Sequence, residues 1–149
     1  MSRGYPDFFG YSVHPEYGET TKQSHASVII AAGTEHTLLD LTFKGRLLGG
    51  KLYTFQSAYD ADQYISVEID GVIVAEVSGQ TDYVFEPLWY PNAVLRPCLI
   101  DHGRLAYSWA FVHDIYVNYS LIVTAINNDA ADDYQAGVNI FYCGYEKEV

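Results

Sequence analysis

The chain has 149 residues, enough to bury the core of one domain without disulfides or metals. Nineteen acidic residues against eight basic ones give a net charge of −11, which would repel nucleic-acid phosphates, so we expect no DNA or RNA partner. The sequence lacks both the run of about 18 apolar residues that a membrane helix needs and a secretion-signal pattern, so we expect synthesis in the cytoplasm and no membrane insertion.

Residues 1–24 combine glycines and prolines with aromatic side chains. Such a segment does not sustain a regular helix, yet it is too apolar to remain in water. It therefore predicts an extended arm that packs either on its own domain or on a neighbouring subunit. The side chains expected to make this contact are Tyr5, Phe8, Phe9 and Tyr11.

Strand patterns begin at His25. Two strands are predicted at residues 27–31 and 36–43, separated by a Gly33-Thr34 turn. Lys44-Gly45-Arg46 then predicts a bend or bulge. The Gly49-Gly50 pair predicts either a kinked strand or the close approach of another backbone.

Residues 64–77 carry the clearest hairpin signal in the chain. Ile65, Val67 and Ile69 alternate with polar residues, which is the two-residue period of a strand with one buried face. An Asp70-Gly71 turn follows, and a second apolar run then pairs back over residues 72–77. The preceding residues 57–63 are predicted to form an acidic loop.

The second half of the chain is less regular. Pro87, Pro91 and Pro97 predict a long excursion between sheets over residues 80–104. Strands are predicted at 105–112, at 115–126 with a bulge near Ser120, and at 137–145. The last two flank a polar loop at 127–135, and a solvated tail ends the chain.

Fourteen tyrosines with a single methionine favour half-buried strands, and no segment has a convincing helical pattern. Eight or nine short strands, spaced about ten residues apart, predict an all-β fold, an antiparallel β-sandwich of jelly-roll type. The predicted organisation is an arm at 1–24 and a single sandwich domain at 25–149.

Catalytic and metal-binding patterns are weak. The five histidines are scattered, which does not favour zinc. Ser108 lies near two candidate pairs, Asp101-His102 and His113-Asp114, but the chain has no nucleophile elbow. Acidic loop residues could offer oxygens to calcium without matching a calcium-loop pattern, and acidic strand residues could form a glycosidase pair, but solvated loops and a wet strand face are the favoured interpretations. The calcium candidates are Asp60, Asp62, Asn127, Asn128, Asp129, Asp132 and Asp133, and the carboxylate candidates are Glu68, Asp70, Glu76 and Glu86.

We therefore expect no catalytic residues, no metal and no cofactor. Cys98 and Cys143 lie far apart, which predicts two reduced, buried thiols. A platform for sugar rings could be formed by the tyrosines together with Trp89, Tyr90, Trp109 and Phe111. The same residue types are also typical of cores and subunit interfaces, and core or interface is favoured.

The order of these segments resembles the small jelly-roll structural proteins of tailed bacteriophages. The resemblance covers most of the chain but not the proline-rich residues 87–97. The stretches that carry it are PDFFGY, HPEYG, HTLLDLTFKGRLLGGKLYTF, ISVEIDGVIV, SLIVTAINND and VNIFYC.

The resemblance implies a non-enzymatic capsid decoration protein or tail or fibre component. Such a protein would be located in the virion, form a homotrimer or a higher oligomer and bind other virion proteins. Trp89 and Tyr90 are additional candidates for partner contact. The alternative is a carbohydrate-binding or host-receptor-binding β-sandwich module that recognises a surface glycan.

Overall fold

The structure is a computed structural model, and it describes residues 22–56, 62–78, 94–101, 103–112 and 115–146. Within these ranges the chain forms nine antiparallel β-strands and no helix, which confirms the predicted all-β class. The strands are β1 (Lys22–Ile30), β2 (Thr34–Gln56), β3 (Gln63–Ile69), β4 (Val72–Val77), β5 (Leu95–Asp101), β6 (Ala106–Phe111), β7 (Ile115–Val117), β8 (Ser120–Asn127) and β9 (Tyr134–Glu146).

The strands form two sheets joined by β2, which is 23 residues long. In the first sheet the order is β1, β9, β2, β6 and β5, with β7 also paired to β2. Residues 43–56 of β2 belong to this sheet. In the second sheet, residues 34–42 of β2 pair with β8, followed by β3 and β4. One strand thus runs through both sheets.

The inward faces of the two sheets share one hydrophobic core. In β8, every second residue from Leu121 to Asn127 is buried, as expected for a strand with one inward face. The largest fully buried side chains come from both sheets, and burying an aliphatic one contributes about 1.5–3 kcal/mol. They include Phe43, Leu47, Leu52, Tyr107, Trp109, Tyr134 and Ile140 from the first sheet, and Ile65, Val67, Val77 and Leu121 from the second. The arrangement is β-sandwich-like.

The β3–β4 hairpin has the predicted form. Ile65, Val67 and Ile69 are buried, and Ile69 lies opposite Val72 across a two-residue turn. Asp70 and Gly71 have φ angles of 54° and 86°. Two successive positive φ angles are typical of the turn that best matches the twist of a hairpin.

The Gly49-Gly50 prediction is also confirmed. The register of β2 against β9 shifts between Leu47 and Gly49, so Leu48 is an extra residue in a β-bulge. Gly50 has a φ of 139°, and a Cβ atom there would meet the backbone of Asn139. At this position a second backbone does approach closely.

The predicted bend or bulge at Lys44-Gly45-Arg46 was wrong. The pairing of β2 with β9 continues in register from Phe43 to Leu47. Gly45 lies opposite Gly144, and a Cβ atom at Gly45 would meet the backbone of the facing strand. The glycine therefore permits close packing of two strands without interrupting either.

The predicted excursion was wrong for residues 95–101, which form β5 although Pro97 lies within it. Among the described strands β5 pairs with β6 alone, and a proline is tolerated on an edge strand because its missing N–H has no neighbour to serve. The β5–β6 register also shifts between Pro97 and Leu99. The earlier part of the predicted excursion, residues 80–93, lies outside the described residues.

The single strand predicted at 115–126 is two strands. β7 pairs with β2 in the first sheet, whereas β8 pairs with β2 and β3 in the second. The chain changes sheets at Asn118 and Tyr119, close to the bulge predicted at Ser120. β9 begins at Tyr134, three residues before the predicted strand, and β1 begins at Lys22, so residues 22–24 of the predicted arm are strand.

Candidate functional site

The side chains predicted to contact a partner lie outside the described residues. They are Tyr5, Phe8, Phe9, Tyr11, Trp89 and Tyr90. The same is true of His102, His113 and Asp114 from the hypothetical Ser/His/Asp sets, and of Asp60 and Glu86.

Trp109 and Phe111 belong to the core, the interpretation that the sequence favoured. Trp109 is 1% exposed and stacks on Tyr107 with 6.3 Å between ring centroids. Phe111 is also buried, on the same inward face of β6. A sugar ring therefore has no access to either side chain, and the glycan platform considered for them was wrong.

The acidic loop between β8 and β9 is held by its own hydrogen bonds. The Asp129 carboxylate accepts the backbone N–H groups of Ala131 and Asp132, both at 2.8 Å. The buried Asn127 amide donates to the carbonyls of Ile30 and Asp132 at 2.9 and 2.8 Å. Within the described ranges, no group of three or more His, Cys, Asp or Glu side chains could hold a metal ion.

A second buried amide, Gln63, fastens the same loop to β3. Its Nε2 donates to Asn127 Oδ1 at 3.3 Å and to the carbonyls of Asp132 and Asp133 at 3.2 Å. A buried N–H group that lacks a hydrogen bond is costly, so the hydrogen bonds of Gln63 Nε2 tie the loop to this end of β3. The loop is thus part of the fold's structure.

Three buried side-chain polar atoms, one of them the oxygen of the Gln63 amide, have no hydrogen-bond partner among the described residues: Thr54 Oγ1, Gln63 Oε1 and Tyr134 OH. Burial raises the pKa of Tyr134 far above its ordinary value. The phenol is therefore protonated at neutral pH, and the side chain is fully buried.

The Asp70 carboxylate fixes the point at which the chain leaves β7 for β8. Its Oδ1 accepts the backbone N–H of Tyr119 at 2.8 Å and those of Asn118 and Ser120 at 3.1 Å. The Tyr119 hydroxyl donates to the Asp70 carbonyl at 2.7 Å. These bonds join the β3–β4 turn to the β7–β8 connection, which explains why the predicted strand is divided at residues 118–119.

The pKa of Asp70 follows from this geometry. Partial burial raises the pKa, but the backbone N–H groups of Tyr119, Ser120 and Asn118 bind the charged form and hold the pKa below its ordinary value. A lowered pKa in the folded state means that the charged carboxylate stabilises the fold. This stabilisation is fully present above the unfolded-state pKa of about 3.9 and is lost as the pH falls through the lower folded-state pKa.

Asp70→Asn is expected to lower the free energy of unfolding near neutral pH by about 1–3 kcal/mol, because a neutral amide accepts these N–H bonds less strongly. The difference from the wild type should shrink as the pH falls below about 3.9, where the carboxyl of the unfolded chain becomes protonated, and vanish below the lower folded-state pKa. Urea unfolding of both proteins, near neutral pH and below about pH 4, measures this difference in stability. Glu68→Gln removes the same charge two residues away, and an equal loss of stability in that control would contradict the role given to Asp70.

The two thiols differ in exposure. Cys143 is buried on β9, as predicted. Cys98 is exposed, so the prediction of a buried thiol was wrong there. Cys98 lies at the register shift of the edge strand β5, which takes it out of the regular alternation between faces.

Large apolar side chains are exposed on both sheets. Tyr116 on β7 is 72% exposed and Ile29 on β1 is 70% exposed. The others are Phe55, Leu99 and Phe141 on the first sheet, Val72 and Ile73 on β4, and Tyr119 in the β7–β8 turn. A single exposed apolar side chain is ordinary, but several on one sheet are typical of an interaction surface. The candidate functional site is therefore the solvent-exposed surface of the two sheets, where these apolar side chains lie.

Comparison with protein-family models and with curated proteins finds no match to this chain. Among the described residues, none lies in a helix long and apolar enough to cross a membrane.

Proposed function

We propose that the protein is a non-enzymatic structural component of a virion, either a capsid decoration protein or part of a tail or fibre. It self-associates and binds the virion lattice through its N-terminal arm and the apolar residues of its surface. The observation that carries the proposal is the set of large apolar side chains exposed on strands, led by Tyr116 and Ile29. Exposing apolar side chains to water is unfavourable, and burying them against a second protein surface is favourable.

Two further features support this function. The β-sandwich-like fold is compatible with the jelly-roll connectivity expected of such a protein. Its hydrogen-bonded strands form a rigid surface, on which every copy can make the same contact with its neighbours. The net charge of −11 would keep a protein made in many copies soluble before assembly.

The alternative is a module that binds a carbohydrate or a host receptor. With Trp109 and Phe111 in the core, a sugar platform among the described residues would use Tyr116 and Tyr119, which are exposed on either side of Asn118. Tyrosine rings stack on the apolar face of a sugar, and an Asn amide binds its hydroxyls. Binding on a glycan array that is lost in Tyr116→Ala would favour this function.

Deleting residues 1–18 is expected to abolish self-association and leave the β fold intact, because the deletion removes the aromatic arm but no residue of β1. Circular dichroism and light scattering measure the fold and the molar mass. A full-length variant with serine at positions 5, 8, 9 and 11 should behave in the same way if the aromatic side chains make the contact. Unchanged assembly of both proteins would contradict the role of the arm.

A further inference from the structure

The outward face of the first sheet is basic. The side chains of β2 alternate about the buried Phe43, Leu47 and Leu52, and this alternation turns Lys44, Arg46 and Lys51 outward. Arg96 on β5 is on the same face, because it pairs with Ala110, which in turn lies opposite Lys51. We call this surface the basic face.

The basic face holds half of the Lys and Arg residues of the chain, although acidic residues outnumber them by 19 to 8 overall. Among the described residues of its strands, a single carboxylate, Asp101, points outward on this face, opposite Ala106. Arg104 lies 3.6 Å from that carboxylate, which further reduces its negative potential. The sign of the charge here is therefore opposite to that of the whole chain.

The outward face of the second sheet is acidic. Glu35 and Asp40 on β2, Glu68 on β3 and Glu76 on β4 alternate with the buried residues of their strands and point outward. The described residues of this face include no Lys or Arg. We call this surface the acidic face.

The pKa of Tyr64 is sensitive to the negative electrostatic potential of the acidic face. Burial raises the pKa of its phenol, and the nearby carboxylates of Glu76 and Glu35 raise it further. Carboxylates from β2 and from β4 thus act on one side chain between them, so their fields add across the sheet.

Each face also carries apolar side chains beside its charges. Ile29, Phe55, Leu99 and Tyr116 are exposed on the first sheet, whose outward face is basic. Ile73 is exposed on the acidic face, and Ile122 and Ile126 are half-exposed between the carboxylates. Apolar contacts supply affinity and charge complementarity selects the partner surface, so both parts of a protein interface are present.

We infer that the basic face of one copy binds the acidic face of a second copy, and that self-association requires this contact as well as the N-terminal arm. The inference rests on the proposed function, and it names the surfaces that meet. A second copy is the occupant favoured by charge, because the acidic face offers four carboxylates and the basic face four cations.

The two faces lie on opposite sides of a shared core, so each copy offers one face to each of two neighbours. Such a contact is head-to-tail. Repeated head-to-tail contacts form a closed ring when the rotation from each copy to the next adds up to a full turn. Otherwise they form an open filament. Both forms suit a component of a repeating lattice or tail.

Two charge-reversal variants of the full chain test the inference. The basic-face variant has two acidic faces, and the acidic-face variant has two basic ones. The substitutions use exposed positions so that the core is untouched: Lys44→Glu, Lys51→Glu and Arg96→Glu in the first, and Glu35→Lys, Asp40→Lys and Glu76→Lys in the second. Circular dichroism checks the fold, and sedimentation velocity measures association.

Each variant alone should associate at least about 10-fold more weakly than the wild type, because like charges then face each other. An equimolar mixture should associate more strongly than either variant alone, since an acidic face and a basic face meet again wherever unlike chains are neighbours. Association of the wild type should also weaken by about 10-fold between 0.05 and 1 M salt, which screens exposed charges. Unchanged association of either folded variant, or a mixture no stronger than its components, would overturn the inference.

Net charge provides an internal control. Each variant has three substitutions, and each substitution changes the net charge by two units. The net charge therefore goes from −11 to −17 in the basic-face variant and from −11 to −5 in the acidic-face variant. If general repulsion governed association, the acidic-face variant would associate more strongly than the wild type, and that result too would overturn the inference. Face variants that assemble normally while the arm deletion does not would leave the proposed function standing, whereas a wild type that is monomeric under all conditions would remove both.

Discussion

Trp109→Ala is expected to lower the free energy of unfolding by about 3–5 kcal/mol, the usual cost of truncating a large aromatic residue in a core. The indole is 1% exposed and stacks on Tyr107. It also lies opposite Leu52, one of the fully buried residues of β2, so its removal leaves a cavity between the two sheets. Chemical denaturation with tryptophan-independent detection, such as circular dichroism, measures the loss.

Tyr116→Ala is the matched control, because it also removes an aromatic side chain from a strand of the first sheet. Tyr116 is 72% exposed, so the substitution should change stability by no more than about 0.5 kcal/mol. Comparable stability of the two variants would contradict the placement of Trp109 in the core. It would also reopen the possibility that Trp109 binds a sugar.

Gly50→Ala is expected to destabilise the fold by about 2–5 kcal/mol, since two costs coincide there. A φ of 139° belongs to a region that residues with a Cβ rarely adopt. The added methyl group would also meet the backbone of Asn139 and Ile140, which cannot move aside as a flexible side chain can. Urea unfolding and the dispersion of amide NMR signals measure the effect.

The neighbouring Gly49 provides the control. Gly49→Ala adds the same methyl group, but no atom lies within 4 Å of the Cβ position there. Its effect on stability should be within about 1 kcal/mol. Equal losses in the two variants would show that β2 and β9 are not paired as described.

Sequence reasoning succeeded where the determinants are local. The β3–β4 hairpin depends on residues alternating over a few positions and on an Asp-Gly pair whose backbone preferences are its own. The Gly49-Gly50 irregularity was also visible, because glycine inside a strand is typical of a bulge or of a closely approaching backbone. The burial of Trp109 followed the general preference of aromatic residues in strands.

It failed where a distant residue decides the local structure. The break between β7 and β8 depends on a carboxylate about fifty positions earlier, which accepts the backbone N–H groups of the turn. Residues 115–126 are β-branched or aromatic throughout most of their length, so they contain no signal of that break. Likewise, the proline in β5 is tolerated because the strand lies at an edge among the described strands, and edge position depends on how distant strands pair.

The charged faces were missed for a third reason. Arg46 and Lys51 are five positions apart, so simple alternation would place them on opposite faces. The bulge at Leu48 restores them to the same face, and the bulge at Leu38 does the same for Glu35 and Asp40. A one-residue shift exchanges the two faces of a strand, so the charge of a face could not be assigned before the register was known.

The most direct test of the self-associating structural component proposed here is the molar mass of the purified full-length protein, measured by size-exclusion chromatography with light scattering at about 50 mM salt, where exposed charges are little screened. We predict a trimer or a larger assembly whose mass rises with protein concentration or reaches a fixed multiple of 16.7 kDa. A single species of 16.7 kDa at every concentration would contradict the account and would make the carbohydrate-binding or receptor-binding module the better proposal.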